Sequence, residues 1–321
     1  MTLLLQYTLI FASVLMLVAL GGCFAERSGV INIGLEGIMV LGALGGALVM
    51  KYLPASVGAP AMVLLTILAS ALMGLLYSLL LAVAAINFKA DQTITGTAMN
   101  ILATAAATVA VKAINTAASG GNDVSSDVVY TATKDLLIVR LGSFEFNWFM
   151  LVAVICLVAA YLLLYKTRFG LRLRACGEHP QAADSVGINV YKMRYAGVLI
   201  SGVLGGLGGI VYITAGVSEW KFENGVAGFG FLALAVMIFG NWKPLNIAGA
   251  ALLFGLFKCV AASYGSLDIN GDGVYMLKEI GVSAHFYRLL PYVITLVVLA
   301  FTSKSSRAPK AEGIPYDKGA R

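Results

Sequence analysis

The chain has 321 residues, of which 60% are apolar and 12% charged, and its mean hydropathy is +0.88. A soluble domain carries about a quarter charged residues, so this composition, with 36 glycines, excludes a water-soluble enzyme and indicates an all-α polytopic membrane protein. At about 20 residues per span the length holds about eight to ten helices and no large extramembrane catalytic domain, and the net charge of +6 bears on orientation rather than on nucleic-acid binding.

In chain order, apolar stretches run at about 3–23, 30–50, 60–86, 93–113, 147–165, 193–215, 226–242, 245–264 and 287–303, which gives nine candidate transmembrane helices. The first ends in Leu20-Gly-Gly-Cys23, similar to a lipoprotein cleavage box. The first basic residue is Arg27, so no positive region precedes the stretch, and it reads as a retained span. The stretch 226–242 is short, as in a broken or re-entrant helix. Residues 1–303 read as one transmembrane domain, followed by a basic tail at 304–321.

Orientation follows from the connectors. With 166–192 in the cytoplasm, 14 of the 22 Lys and Arg residues fall inside, including Arg27, Lys89, Lys243 and the tail cations, so the C-terminus is expected in the cytoplasm and the N-terminus outside. The long external segments are then 114–146 and 265–286. The first holds the turn-rich run Ser119-Gly-Gly-Asn-Asp123 and alternating valines, which predict a small hairpin.

Gly42 and Gly46, Gly202 and Gly206, and Gly205 and Gly209 are four apart, a spacing that lets helix backbones approach closely in lipid, as plain packing or as a gate. Cys23, Cys156, Cys176 and Cys259 are far apart and make neither a disulfide framework nor a zinc spacing. The sequence has no GxxxxGK[ST] loop, no HExxH and no GxSxG elbow, so any ATP that drives the protein is hydrolysed on a separate subunit.

Three constellations are candidates for function. In Arg172-Leu-Arg-Ala-Cys-Gly-Glu-His-Pro-Gln-Ala-Ala-Asp-Ser-Val-Gly187, Pro180 suits a first helical turn and Gly187 a helix stop, with Glu178 near the helix N-terminus. This predicts a two-turn surface helix shaped as a docking knob; a solvated loop on anionic lipid is the alternative. Polar residues inside spans are costly and therefore site candidates. Asn32 and Glu36 are four apart on one helical face, and Thr93, Thr97, Asn100 and Thr104 make a second polar stripe. Finally, Asp268-Ile-Asn-Gly-Asp-Gly-Val-Tyr-Met-Leu-Lys-Glu279 fits the EF-hand pattern, with Asp268, Asn270, Asp272 and Glu279 as oxygen ligands for Ca2+; the alternative is an acidic surface loop.

Gln181-Ala-Ala-Asp-Ser-Val-Gly187 resembles the Glu-Ala-Ala-x-x-x-Gly loop of ATP-binding-cassette importer permeases, with Gln181 in place of the Glu. Phe24-Ala-Glu-Arg-Ser-Gly-Val-Ile-Asn-Ile-Gly-Leu-Glu-Gly37 resembles the start of the branched-chain amino acid/ribose/nucleoside permease group. Ala90-Asp-Gln-Thr-Ile-Thr-Gly-Thr-Ala-Met-Asn100 and Ala311-Glu-Gly-Ile-Pro-Tyr316 are most similar to bacterial nucleoside importers. The resemblance covers nearly the whole chain. It implies a multi-pass permease of the bacterial cytoplasmic membrane, paired with a second related permease, two cytoplasmic ATP-binding subunits that hold ATP and magnesium, and an external substrate-binding lipoprotein. It further implies that Glu178, His179, Pro180, Gln181, Ala182, Ala183, Asp184 and Gly187 form the coupling helix, and that this chain binds no cofactor of its own. For a nucleoside, Asn32, Glu36, Thr97 and Asn100 would supply hydrogen-bonding partners, and Phe229 or Trp220 a stacking face. Rival readings are a sugar or branched-chain amino acid permease, a lone ion-coupled carrier and a channel.

Overall fold

A computed structural model describes residues 2–142, 144–215, 218–263 and 307–319, with isolated positions between 283 and 300. The fold is an all-α polytopic bundle. Seven of its helices are long and apolar enough to cross a membrane among the described residues: α1 (Thr2–Arg27), α2 (Leu35–Tyr52), α3 (Ala59–Ala82, extended by a π-type turn to Asn87), α4 (Gln92–Ala118), α6 (Trp148–Lys166), α9 (Val190–Ile213) and α11 (Pro244–Ser263). Shorter elements are β1 (Asp127–Val129), the single turn α5 (Thr131–Lys134), β2 (Ile138–Leu141), β3 (Phe144–Asn147), α7 (Arg168–Glu178), α8 (Pro180–Ser185), β4 (Glu219–Lys221) and α10 (Phe229–Phe239).

Local sequence fixes several helix starts. The side chains of Asp91, Asn147, Thr167 and Asn189 accept from the backbone N–H groups of Ile94, Phe149, Gly170 and Lys192. Each such cap contributes about 1 kcal/mol by satisfying a donor that the helix cannot. Helix α1 runs through the centre and is buried along most of its length, with α9, α10, α11 and α6 around it. Helices α3 and α6 turn leucines outward, among them Leu68, Leu72, Leu76 and Leu162; in a membrane these meet lipid or another subunit.

The glycine spacing does act in packing. A side chain on Gly42 would run into the backbone of Gly206, and one on Gly74 into the carbonyl of Gly202, so α2, α3 and α9 meet backbone to backbone. Thr66, Ser70, Gly74 and Ser78 recur every four residues along the buried face of α3 and provide the small partners for that contact.

The bundle has two distinct ends. At the hairpin end, β2 and β3 pair antiparallel, with Ile138 opposite Asn147, and β1 pairs with β4, with Asp127 opposite Lys221. The hairpin is thus 138–147, while the valine-rich strand joins a segment 92 residues away instead of folding on itself. At the tail end lie the last turn of α1, α7, α8, the start of α9, the α10–α11 turn and residues 307–319.

The connector 166–192 holds two helices where one was expected. Thr167 caps α7, whose Leu173, Cys176 and Gly177 are buried, and Glu178 is the last residue of α7, 3.9 Å from Arg27, rather than the opening of α8. Pro180 opens α8 and Gly187, at φ +83°, ends it as expected, although His179 makes no side-chain cap. Arg194, just inside the start of α9, is buried. The EF-hand-like run Asp268–Glu279 lies outside the described residues.

Candidate transport site

Two helices begin inside the bundle. α10 has eleven residues, a rise of about 16 Å, roughly half of a ~30 Å hydrocarbon core. α2 begins at Leu35, after the irregular segment Ser28–Gly34. Asn32 therefore precedes the helix, and it shares no helical face with Glu36. Irregular backbone at membrane depth needs partners supplied by the protein, and each break has its own set.

The first break is held by amides. Gln92 Oε1 accepts from Ile31 N–H at 2.6 Å, and Asn100 accepts from Gly37 N–H at 2.8 Å while donating to Ile33 O at 3.0 Å. Asn32, fully buried, donates to Ser201 Oγ on α9 at 2.8 Å. Asn100 thus spends both ends of its amide on the chain's own backbone, whereas Asn32 leaves its buried Oδ1 without a partner among the described residues. Thr97 lies on the exposed face of α4, with its hydroxyl donating to Thr93 O of its own helix.

The second break is held by a carboxylate. Glu36 Oε1 accepts from Gly228 N–H at 2.8 Å and Oε2 from Gly230 N–H at 2.6 Å, so the negative group sits on the N-terminus of α10, where the helix dipole favours it. Gly230 has no room for a side chain, because a Cβ there would press on Glu36. Around this junction the aromatics gather. The Phe229 ring lies 4.5 Å from Tyr212 and 5.8 Å from Phe11, and Tyr212 stands edge-on to Trp220 at 5.3 Å. Lys258 Nζ of α11 sits 4.7 Å from the Phe229 ring centroid, and Trp220 Nε1 donates to Gly225 O. Thr104 of α4 faces Gly225. Glu36 and Phe229, expected on separate grounds, come together here; Asn100 meets the same turn through the Gly37 backbone, while Asn32 bonds to α9 and Thr97 to its own helix.

Sequence reasoning passed over Lys258, Tyr212 and Phe11. Lys258 had a readable signal, a lone cation inside the apolar stretch 245–264. The two aromatics had none, since an aromatic residue in a span is ordinary.

The tail end presents the other candidate surface. Along 178–187, Pro180 and Ala183 are buried, Glu178 and Asp184 are half-buried, and His179, Gln181, Ala182, Ser185 and Gly187 are exposed. Val186 is 75% exposed, a large apolar side chain with no partner shown for it among the described residues.

Residues 4–299 match the family of the branched-chain amino acid transport system permease component. The chain belongs to that family. This permease is 42% identical over 320 residues to the guanosine ABC transporter permease protein NupQ of Bacillus subtilis, which covers 98% of this chain and 96% of that one. It is 40% identical over 314 residues to the nucleoside ABC transporter permease protein NupC of Lactococcus lactis, covering 97% and 95%. A putative glucose ABC transporter permease protein of Haloferax volcanii is 28% identical over 311 residues, covering 93% and 91%. No solved structure matches the permease.

Proposed function

We propose that this chain is the membrane-spanning subunit of an ATP-driven importer that carries nucleosides across the bacterial cytoplasmic membrane by alternating access. The observation that carries the reading is full-length similarity to permeases named for guanosine and nucleosides, at 42% and 40% identity, against 28% for the glucose permease. The geometry supports it. A nucleoside has a flat base with a polar edge and a hydroxylated sugar. Trp220 and Tyr212, half-buried and backed by the buried Phe229, provide a stacking face, and Glu36 and Thr104 place a carboxylate and a hydroxyl near it.

The tail end is the cytoplasmic end in this reading. Arg27, Lys89, Lys166, Arg168, Arg172, Arg174, Lys192 and Lys243 cluster in its connectors, as the positive-inside rule requires. The exposed ridge of α8 is the contact for a cytoplasmic ATPase, with Gln181, Ala182 and Val186 entering the partner's groove. A second related permease completes the pathway, two ATPases hold ATP and magnesium, and an external lipoprotein delivers nucleoside at the hairpin end. Closure of the ATPases pulls α8, and the permease pair switches between inward-facing and outward-facing arrangements as rigid bodies.

The test is uptake of labelled guanosine into vesicles holding the reconstituted complex. Uptake that requires ATP and the ATPases and is competed by nucleosides but not by glucose or leucine supports the assignment. Uptake by the permease alone, or competition by sugars only, overturns it. Replacing Trp220 by Leu removes the stacking contact, of about 0.5–1.5 kcal/mol, and raises the half-saturating nucleoside concentration about two- to tenfold.

A further inference from the structure

The tail residues Ala311–Asp317 are folded onto the bundle, and their contacts reach both helices that adjoin α8, α7 and α9. Ala311 N–H donates to Gly177 O at the end of α7 at 2.8 Å. Glu312 faces Glu26 of α1, which accepts from the Trp242 indole. Gly313, at φ +75°, lies over Ile31. The Ile314 carbonyl accepts from Arg194 Nη1 at 2.9 Å, and this is the hydrogen bond shown for a guanidinium that is buried inside α9. Tyr316 is buried in one apolar cluster with Cys176 of α7, Ala183 of α8 and Val190 of α9, its ring edge-on to Tyr191 at 5.3 Å and its hydroxyl facing Asp184. Asp317 Oδ2 ends the run 3.0 Å from Lys89 Nζ, in the α3–α4 turn.

The mechanical problem lies in α8 itself. It has six residues and joins α9 through Val186–Asn189, where Gly187 takes a left-handed conformation. A pull on so short a helix would be absorbed by bending that joint unless a second element braces it. The tail is that element. Its Tyr316 wedges between α8 and α9, and its two flanks are tied to α7, α9 and the α3–α4 turn.

We propose that Ala311–Asp317 is the linkage through which movement of α8 reaches the bundle, with Tyr316 as the positioning residue at its centre. The inference rests on the reading of α8 as the ATPase contact. It assigns to the tail a mechanical task, and no chemical one.

The experiment uses the complete importer in vesicles and reads three quantities: nucleoside uptake, ATP hydrolysis, and the amount of ATPase that co-purifies with the permease. In Tyr316→Ala, the ATPases stay bound and hydrolysis persists, while nucleoside moved per ATP falls about tenfold, as removal of an aromatic wedge from a linkage predicts. Tyr316→Phe, which keeps the ring, holds the ratio near wild type. An unchanged ratio in Tyr316→Ala overturns the proposal, and so does loss of ATPase binding in step with transport, since that makes Tyr316 a docking residue only. Asp317→Lys covers the case in which Tyr316→Ala fails to fold, because Asp317 and Lys89 are both on the surface. It lowers the ratio about threefold by setting two cations against each other, and Lys89→Asp/Asp317→Lys restores it; a wild-type ratio in Asp317→Lys alone again overturns the proposal. If the wild-type complex itself moves nucleoside without ATP, the functional reading fails, whatever the tail variants do.

Discussion

The two interrupted helices differ in what fills their breaks. The segment Ser28–Gly34 before α2 is plugged by neutral amides: Asn100 is bonded at both ends, while Gln92 and Asn32 each bond through one end and leave Nε2 and Oδ1 without a partner among the described residues. The segment before α10 is held by one ionisable side chain, Glu36, among aromatics that leave it half-buried. A neutral amide pair gives a fixed joint in low dielectric, since it carries no charge to solvate. A carboxylate on a helix N-terminus is strong yet can be exchanged for another partner or a proton. The difference assigns the first break to the scaffold and the second to the moving or solute-facing part.

Asn100→Leu gives the largest expected effect. It orphans the Gly37 N–H and the Ile33 carbonyl together, and each unsatisfied buried group costs about 1–3 kcal/mol. The expected outcome is a strongly reduced yield of folded permease and a lower melting temperature in detergent. If Asn100→Leu melts like wild type yet abolishes uptake, Asn100 is a solute ligand and the two breaks are of one kind.

That outcome differs from the one the sequence alone suggests, and the reason is physical. Apolar runs near the length of a span locate α1, α3, α4, α6, α9 and α11, and the short run at 226–242 announces α10. The break before α2 has no such signal. Val30, Ile31 and Ile33 keep the stretch as apolar as a helix, so Asn32 and Glu36 look like neighbours on one face, when the helix begins only at Leu35. Asn100 carries the right chemistry for a solute, but nothing in its spacing says that the chain's own backbone takes it first. α7 was hidden by its three arginines, which read as loop, although Thr167 and the buried Leu173, Cys176 and Gly177 carry a helical signature. The β1–β4 pairing was beyond reach because it depends on α4 and α9, which precede the two strands, both packing on α2, and not on either strand's neighbours in sequence.

Glu36→Gln separates charge from shape at the second break. The amide keeps one acceptor oxygen but gives up the charge-assisted bonds to Gly228 and Gly230, a difference of about 1–2 kcal/mol. Expressed in the transport step, that is a loss of about five- to thirtyfold in maximal uptake, with a melting shift smaller than that of Asn100→Leu. A larger melting shift for Glu36→Gln than for Asn100→Leu reverses the assignment of scaffold and moving part.

The smallest effect belongs to the link that ties the second break to α4. Lys112 Nζ lies 2.7 Å from Glu223 Oε1, and Glu223 also meets Lys221 at 3.5 Å, just before the chain turns toward α10. The neighbouring lysines hold the Glu223 carboxyl below its ordinary range, first through the bond from Lys112. The pair is as exposed as it is close, however, with both side chains at 39%. Water and salt screen such a pair, and it confers little stability at physiological ionic strength. Lys112→Ala is therefore expected to leave uptake and melting temperature within about twofold and a degree or two of wild type. The sign of any pH effect is fixed: a carboxylate held low in the folded state contributes above its unfolded range and loses that contribution as pH falls, so Lys112→Ala and wild type converge in acid. A loss of uptake at neutral pH as large as that of Glu36→Gln would mean that the connection to α4, and not the carboxylate at the α10 N-terminus, holds the second break in place.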